Sequence, residues 1–239
     1  MLDLSRIRAI TLDLDDTLWP VMPTIQWAEQ QLQTWLQAHA PSTARYLADP
    51  AVRHEVRAQV SRDSTHMAHD LSWQRREAIR RALVHAGDDA GLTDAAFDVF
   101  FEARQRVSLY ADALPALQML ARRFPVIAVS NGNADVHRVG IGMHFQATVS
   151  AREVGVGKPD ARIFEVAARS VSVAPEAVLH IGDDPALDVV GALNVGMQAV
   201  WVNRHGQDWP ASLSRPHLSV VELGALCRYL KLDTTGVTE

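Results

Sequence analysis

The chain has 239 residues, 48% of them hydrophobic and 21% charged, with a formal net charge of −5 and one cysteine. These values are typical of a globular protein of one or two domains, and they argue against a general nucleic-acid or membrane-surface binder, a disulfide framework and a cysteine metal site. We find no signal peptide and no run of about 18 apolar residues, so a cytoplasmic protein is expected.

Five short apolar runs predict the strands of a parallel sheet. Helical segments of crossover length separate the later strands, and the strands are apolar nearly throughout. This alternation is typical of an α/β fold in which helices cover both faces of the sheet. The predicted strands are residues 7–14, 125–131, 145–151, 177–183 and 197–203, and the predicted helices between them are 114–123, 159–170 and 185–195.

The connection between the first two strands is far longer than a crossover needs. Apolar residues recur at helical spacing within it, as in Ile25, Ala28 and Leu32. We therefore predict a helical domain at residues 20–110, inserted into a core domain made of residues 1–19 and 111–239. The final stretch, "DTTGVTE", is expected to be a frayed tail.

Polar residues cluster where the predicted strands end. The first strand ends in "DLDDT", the second in "SNGN" and the fourth in "GDDPALD", while "GKPD" places Lys158 just before a helix. A parallel sheet brings these ends to one edge, where ligands bind. Carboxylates, a hydroxyl, turn amides and a lysine suit phosphoryl transfer, in which a carboxylate is the nucleophile and hard oxygen ligands hold Mg²⁺.

The use of basic residues singles out one of them. Of the 23 lysines and arginines, only Lys158 and Lys231 are lysines. A chain that uses arginine by default keeps a lysine where a compact ammonium is needed, since a flat guanidinium binds differently. We therefore expect Lys158 to have a functional role.

With these motifs in order, the sequence resembles the phosphatase branch of the haloacid dehalogenase (HAD) superfamily over its whole length. The resemblance implies a Rossmann-like core with a five-stranded parallel sheet, and an α-helical cap domain at the position of the insert. It implies that Asp13 is the nucleophile and Asp15 the general acid and base. It also implies that Asp13, the backbone carbonyl of Asp15, and Asp183 hold Mg²⁺.

The resemblance assigns the remaining motif residues to the transferring phosphoryl group and its support. Ser130 and Lys158 would bind this group, with help from the amides around Asn131. Asp188 would orient Lys158 or a metal-bound water. Thr17, the last residue of "DLDDT", would brace the nucleophile loop at the phosphate site.

The sequence also suggests roles for charged residues beside these motifs and in the helical insert. Asp16 is expected to serve the turn, and Asp184, which precedes Pro185, to cap a helix rather than bind the metal. Arg75 and Arg76 in "DLSWQRREAIRRAL" could contact distal groups of a substrate, with Arg75 the candidate binding residue, or they could form a solvated charged face.

Several reactions remain to be compared. Asp15 argues against haloalkanoate dehalogenation, which needs neither Mg²⁺ nor a second acid, and the insert lacks the lysine of phosphonate-cleaving relatives. A sugar phosphomutase, a phospho-acceptor switch and an inactive binding protein stay open as alternatives.

More narrowly, the sequence resembles bacterial phosphatases of flavin mononucleotide and of the riboflavin-pathway intermediate 5-amino-6-(5-phosphoribitylamino)uracil. The resemblance lies in "LDLDDTLW", "SNGNA", "HIGDD" and "GMQAVWVN". The expected partner is a small phosphate ester, bound by a monomer or homodimer.

Overall fold

A computed structural model describes residues 1–232 and divides the chain into two compact units. The predicted frayed tail lies outside the described residues. The core unit comprises Met1–Pro20, Ser108–Gly132 and the chain from Val136 onward, and the helical unit comprises Val21–Val107 and Asn133–Asp135. Within the described part of the chain, no helix is both long and apolar enough to cross a membrane.

The core unit contains a parallel sheet, which has six strands in residues 1–232 rather than the predicted five. The last strand was not predicted because it has only three residues, of which only Val220 is buried. Three residues are too few to show the alternation of buried and exposed positions that identifies a strand. The sheet order is β3-β2-β1-β4-β5-β6. The strands are β1 (Ala9–Leu12), β2 (Val126–Ser130), β3 (Ala147–Ser150), β4 (Val178–Gly182), β5 (Gln198–Val202) and β6 (Leu218–Val220).

The helical unit is built from five helices around an apolar core. Asp49 and Asp70 cap the third and fourth helices by accepting backbone N–H bonds, and Gly87 ends the fourth at φ +75°, a left-handed conformation that glycine adopts without strain. The helices are α1 (Val21–His39), α2 (Pro41–Tyr46), α3 (Pro50–Asp63), α4 (Leu71–Ala86) and α5 (Thr93–Arg104), with 3₁₀ turns at Thr65–Met67 and Ala90–Leu92.

Most helices of the core unit precede a strand of the sheet, and the last helix follows β6. Ile163, Phe164, Ala167 and Ala168 form the buried face of the helix before β4, and they pack with sheet residues in one apolar cluster. The predicted helix at 185–195 begins instead as a π-helical turn, Pro185–Val190. The α-helices are α6 (Ala113–Arg123), α7 (Val136–Val139), α8 (Ala151–Val154), α9 (Ala161–Ser170), α10 (Gly191–Asn194) and α11 (Leu223–Tyr229), with 3₁₀ turns at Gly142–His144 and Pro175–Ala177.

The strand order places the two acidic motifs side by side. Strands β1 and β4 are neighbours, and the order of connection reverses between them, which is where ligands bind in sheets of this kind. Every residue of β1 and β4 is buried, so both faces are covered. The Asp13 N–H donates to the Ile181 carbonyl at 2.9 Å and carries the pairing one residue past β1.

Candidate active site

Three carboxylates converge at the carboxyl ends of β1 and β4. One oxygen each from Asp13, Asp183 and Asp188 lies within 4.8 Å of the other two, and this is the one group of potential metal ligands found in residues 1–232. Asp13 is 5% exposed and Asp188 is 1% exposed. Buried like charges repel strongly, so this arrangement requires positive charge nearby.

Lys158 supplies part of that charge from the loop before α9. Its ammonium donates a short hydrogen bond to Asp13 Oδ1 and a second one to Asp188 Oδ1 at 2.6 Å. Lys158 is itself 6% exposed, so these contacts are shielded from water. One ammonium against three carboxylates leaves the site negatively charged. Oxygen ligands with excess negative charge fit a hard divalent cation.

The pKa values express the same imbalance. Burial raises the pKa of Asp13 well above its usual range, with added repulsion from Asp188 and Asp183, and Lys158 offsets only part of it. Burial and nearby carboxylates raise the pKa of Asp183 to about 7. Burial opposes the charge on Lys158, but Asp13 and Asp188 outweigh it and raise the pKa of that ammonium. A bound divalent cation would reverse the shifts on the two raised carboxyl groups.

Asn131 holds the backbone of Lys158 from both sides. Its Nδ2 donates to the Lys158 carbonyl at 2.9 Å, and its Oδ1 accepts from the Lys158 N–H at 2.7 Å. A Cβ at Gly157 would lie 2.7 Å from Asn131 Oδ1, so glycine is needed there. The Asn131 side chain therefore positions the lysine, and phosphate binding by amides around Asn131 stays a prediction. Ser130 Oγ accepts from the Gly132 N–H at 2.9 Å at the same strand end.

Both oxygens of the Asp188 carboxylate accept hydrogen bonds. Its Oδ2 accepts from the Asp184 N–H at 3.0 Å, while Oδ1 faces Lys158. A Cβ on Gly182 would lie 2.3 Å from Asp188 Cγ, which explains the glycine of "IGDD". The Asp184 side chain accepts from the Ala186 and Leu187 N–H groups at 2.8 Å each, so it caps the following turn, as the Asp-Pro step predicts.

The two acidic residues of the loop after Asp13 make different contacts. Asp15 Oδ1 accepts from the indole N–H of Trp19 at 2.7 Å. Asp16 has φ +58°, a left-handed conformation that Asp tolerates better than most residues, and its N–H donates to the Trp19 carbonyl at 2.7 Å. The prediction of a turn role for Asp16 is confirmed. Thr17 braces this loop by donating its hydroxyl to Asp183 Oδ1 at 3.2 Å.

Arg204 supports the same loop, although the sequence patterns did not indicate it. Its guanidinium donates to the Thr17 carbonyl at 2.8 and 3.1 Å and to both oxygens of Asp112, and it stacks 3.9 Å from the centre of the Tyr110 ring. Little in the sequence singles out Arg204, because an arginine after the end of a strand is common. This bidentate, stacked geometry is one that lysine cannot reproduce.

The helical unit contains a cavity of about 130 Å³ beside Arg75. Arg75 and Arg57 both donate to Glu29 Oε1, at 2.6 and 2.7 Å, so this cluster carries one excess positive charge. The guanidinium of Arg75 also lies 4.0 Å from the centre of the Phe100 ring. The cavity is lined by Ile25, Arg57, Leu71, Gln74, Arg75, Phe100 and Asn133.

Comparisons with known proteins agree with this geometry. A family model described as haloacid dehalogenase-like hydrolase matches residues 7–196. The chain is 32% identical over 231 residues to the 5-amino-6-(5-phospho-D-ribitylamino)uracil phosphatase YigB of Escherichia coli K12, covering 93% of this chain and 96% of that protein. It is 33% identical over 222 residues to a phosphoserine phosphatase of Thermus thermophilus, covering 83% and 89%.

A solved structure is also closely similar. The chain superposes on a crystal structure described as a 2-haloacid dehalogenase from Pseudomonas syringae pv. Tomato DC3000 with a TM-score of 0.87 and 35% identity, covering 94% of this chain and 98% of that one. The similarity to curated phosphatases indicates a hydrolase that acts on phosphate esters. The chain therefore belongs to the haloacid dehalogenase-like hydrolase family, as its four motifs predict.

Proposed function

We propose that this protein is a Mg²⁺-dependent phosphate monoester hydrolase that works through a phosphoryl group carried on Asp13. The observation that carries the proposal is the convergence of the Asp13, Asp183 and Asp188 carboxylates, two of which, the buried Asp13 and Asp188, also contact the Lys158 ammonium. A carboxylate at a strand end, next to one fixed positive charge and a site for another, suits attack on phosphorus.

Each residue then has a defined task. An Asp13 oxygen attacks phosphorus, and the bond from phosphorus to the ester oxygen breaks while Asp15 donates its proton to that oxygen. Asp15 next takes a proton from a water molecule, which attacks phosphorus and releases inorganic phosphate and free Asp13. Lys158 and Ser130 would neutralise and orient the phosphoryl oxygens throughout.

The carboxylates fit a divalent cation. Asp13 and Asp183 would hold it, with the predicted backbone carbonyl of Asp15, while the contact of Asp188 with Lys158 supports an orienting role for Asp188. When bound, Mg²⁺ supplies positive charge to the phosphoryl oxygens and lowers the repulsion between nucleophile and substrate. The negative excess of the site supports this proposal.

Dehalogenation is the second candidate because of the similar solved structure. A departing halide needs no proton, whereas a departing alkoxide does, and this chain has Asp15 two residues after the nucleophile. The cluster of further carboxylates also fits a metal that dehalogenation does not need. We therefore favour phosphate ester hydrolysis, and we expect no halide release from 2-haloacids.

For the substrate, we propose a riboflavin-pathway phosphate, namely flavin mononucleotide or 5-amino-6-(5-phosphoribitylamino)uracil. The similarity to YigB supports this class. That relative is named for the phosphoribitylamino-uracil compound and not for flavin mononucleotide. We therefore expect the uracil compound to be a better substrate than flavin mononucleotide.

A substrate panel tests this proposal. With Mg²⁺, kcat/KM is expected to be highest for the uracil intermediate, followed by flavin mononucleotide and then sugar phosphates. Excess chelator should lower activity by about 100-fold or more, because the charge on the phosphoryl oxygens is no longer neutralised. A sugar phosphate ranked first would discard the substrate proposal alone. Full activity in chelator would refute the metal requirement, and an absence of phosphate release from every ester would refute the phosphatase proposal. The cytoplasmic location and a monomeric or dimeric state stay predictions.

A further inference from the structure

We infer that His180 is a positioning residue for catalysis, which fixes the Asp188 carboxylate so that Asp188 directs Lys158 onto Asp13. This inference rests on the proposed phosphatase function, because it matters only if Lys158 acts on the phosphoryl group. None of the motif assignments gives His180 a role.

The imidazole is enclosed in the middle of β4. His180 is 0% exposed, its Nε2 lies 3.1 Å from Asp188 Oδ1, and its Nδ1 lies 2.9 Å from Thr11 Oγ1 on the neighbouring strand. The Phe164 ring packs edge-on at 5.1 Å with an interplanar angle of 88°. The ring is therefore restrained by packing against Phe164 and at both nitrogens by polar partners.

The direction of these hydrogen bonds follows from the chemistry of the partners. A carboxylate only accepts, so Nε2 carries the proton that is donated to Asp188. Burial lowers the pKa of His180, which favours the neutral ring, so Nδ1 accepts from the Thr11 hydroxyl. A neutral donor fixes Asp188 without placing a second cation beside Lys158.

The contacts form one continuous path to the nucleophile. Oδ1 of Asp188 receives His180 on one side and Lys158 on the other, and Lys158 donates onward to Asp13. The other oxygen of Asp188 is held by the backbone of Asp184. Without the His180 donor, the Asp188 carboxylate loses one of its three hydrogen-bond partners. The Lys158 ammonium is then held next to Asp13 by a less firmly fixed carboxylate.

A purely structural explanation is less satisfactory for this position. The other residues of the strand sequence "VLHIG" are apolar or glycine, and an apolar side chain would fill the same space without burying two ring nitrogens. The imidazole is instead bonded at both nitrogens, and one bond leads to the catalytic lysine through Asp188. That specific placement indicates a role in orienting Asp188.

Two buried amide variants separate positioning from stability. His180→Gln places its side-chain nitrogen near the position of Nε2 and retains a donor to Asp188, whereas the shorter His180→Asn reaches only the region of Nδ1. With p-nitrophenyl phosphate and Mg²⁺, we expect His180→Asn to lose about tenfold or more in kcat, with KM within about threefold, because an outer partner of a catalytic group has lost its bond. We expect His180→Gln to restore kcat to within about threefold of the wild type.

Thermal unfolding of each variant accompanies the kinetics, with Leu226→Ala in α11 as a destabilised control that should keep its kcat. If His180→Asn does not fold, His180→Phe, a planar ring without a donor, takes its place with the same expected loss. Equal kcat values for the Gln and donor-less variants, whether high or low, would overturn the inference. A wild-type enzyme without turnover would instead refute the proposed function, before any variant is compared.

Discussion

Replacing Asp13 by Asn is expected to abolish phosphate release, with kcat falling by at least about four orders of magnitude while the protein stays folded. The amide has nearly the same shape as the carboxylate but is a very poor nucleophile. Its neutral charge also removes one of three mutually repelling carboxylates, so the stability of the metal-free protein should not fall greatly. Phosphate release and circular dichroism measure the two effects.

Asp16→Asn is the matched control for this variant. Asp16 lies in the same loop, and asparagine tolerates the φ of +58° found there. Since Asp16 serves the turn, its variant should keep kcat within about threefold of the wild type. Turnover by Asp13→Asn at a rate comparable to the control would show that another residue is the nucleophile.

Replacing Lys158 by Met is expected to lower kcat by about 100- to 1000-fold, because a fixed charge on the phosphoryl oxygens is lost. It should also destabilise the metal-free protein by about 3 kcal/mol, since Asp13 and Asp188 would both remain buried without their cation. Addition of Mg²⁺ should recover part of that stability, because the metal would neutralise the same carboxylates.

Urea unfolding with chelator and with Mg²⁺ measures this effect, and Lys231→Met is its control. Lys231 is the other lysine of the chain and lies at the end of the described residues, far along the sequence from the motifs. The control should match the wild type in kcat and in the free energy of unfolding. If Lys158→Met were as active as the control, the assignment of Lys158 to the phosphoryl group would be wrong.

Much of the core and its site could be predicted from the sequence because the relevant signals are local. The apolar runs that end at Asp13, Ser130 and Asp183 can each be recognised as a strand from a short stretch of neighbouring residues. In a parallel sheet, the carboxyl ends of such strands lie at the same edge. Lys158 stood out as a candidate because only two of the 23 basic residues are lysines. The Asp184-Pro185 step predicted a cap for a similar reason, since both residues belong to the same turn.

Other features depend on contacts between residues distant in the chain. The role of Asn131 requires its side chain to reach the Lys158 backbone, and that of His180 requires Thr11 and Asp188 to lie at its two nitrogens. A histidine within an apolar strand signals a buried polar group, but its partners come from other elements. The sixth strand was missed for a different reason, because three residues are too few to show a period.

The proposed roles of Asp13 as nucleophile and Asp15 as general acid and base are tested most directly by the Asp15→Asn variant. With p-nitrophenyl phosphate, the leaving group needs little protonation, so phosphoryl transfer to the enzyme should still occur, while hydrolysis slows for lack of a base. Rapid acid quench and peptide mass spectrometry should then find one phosphoryl group per enzyme on Asp13. A quenched enzyme without a phosphoryl group, or with it on another residue, would contradict the proposed mechanism.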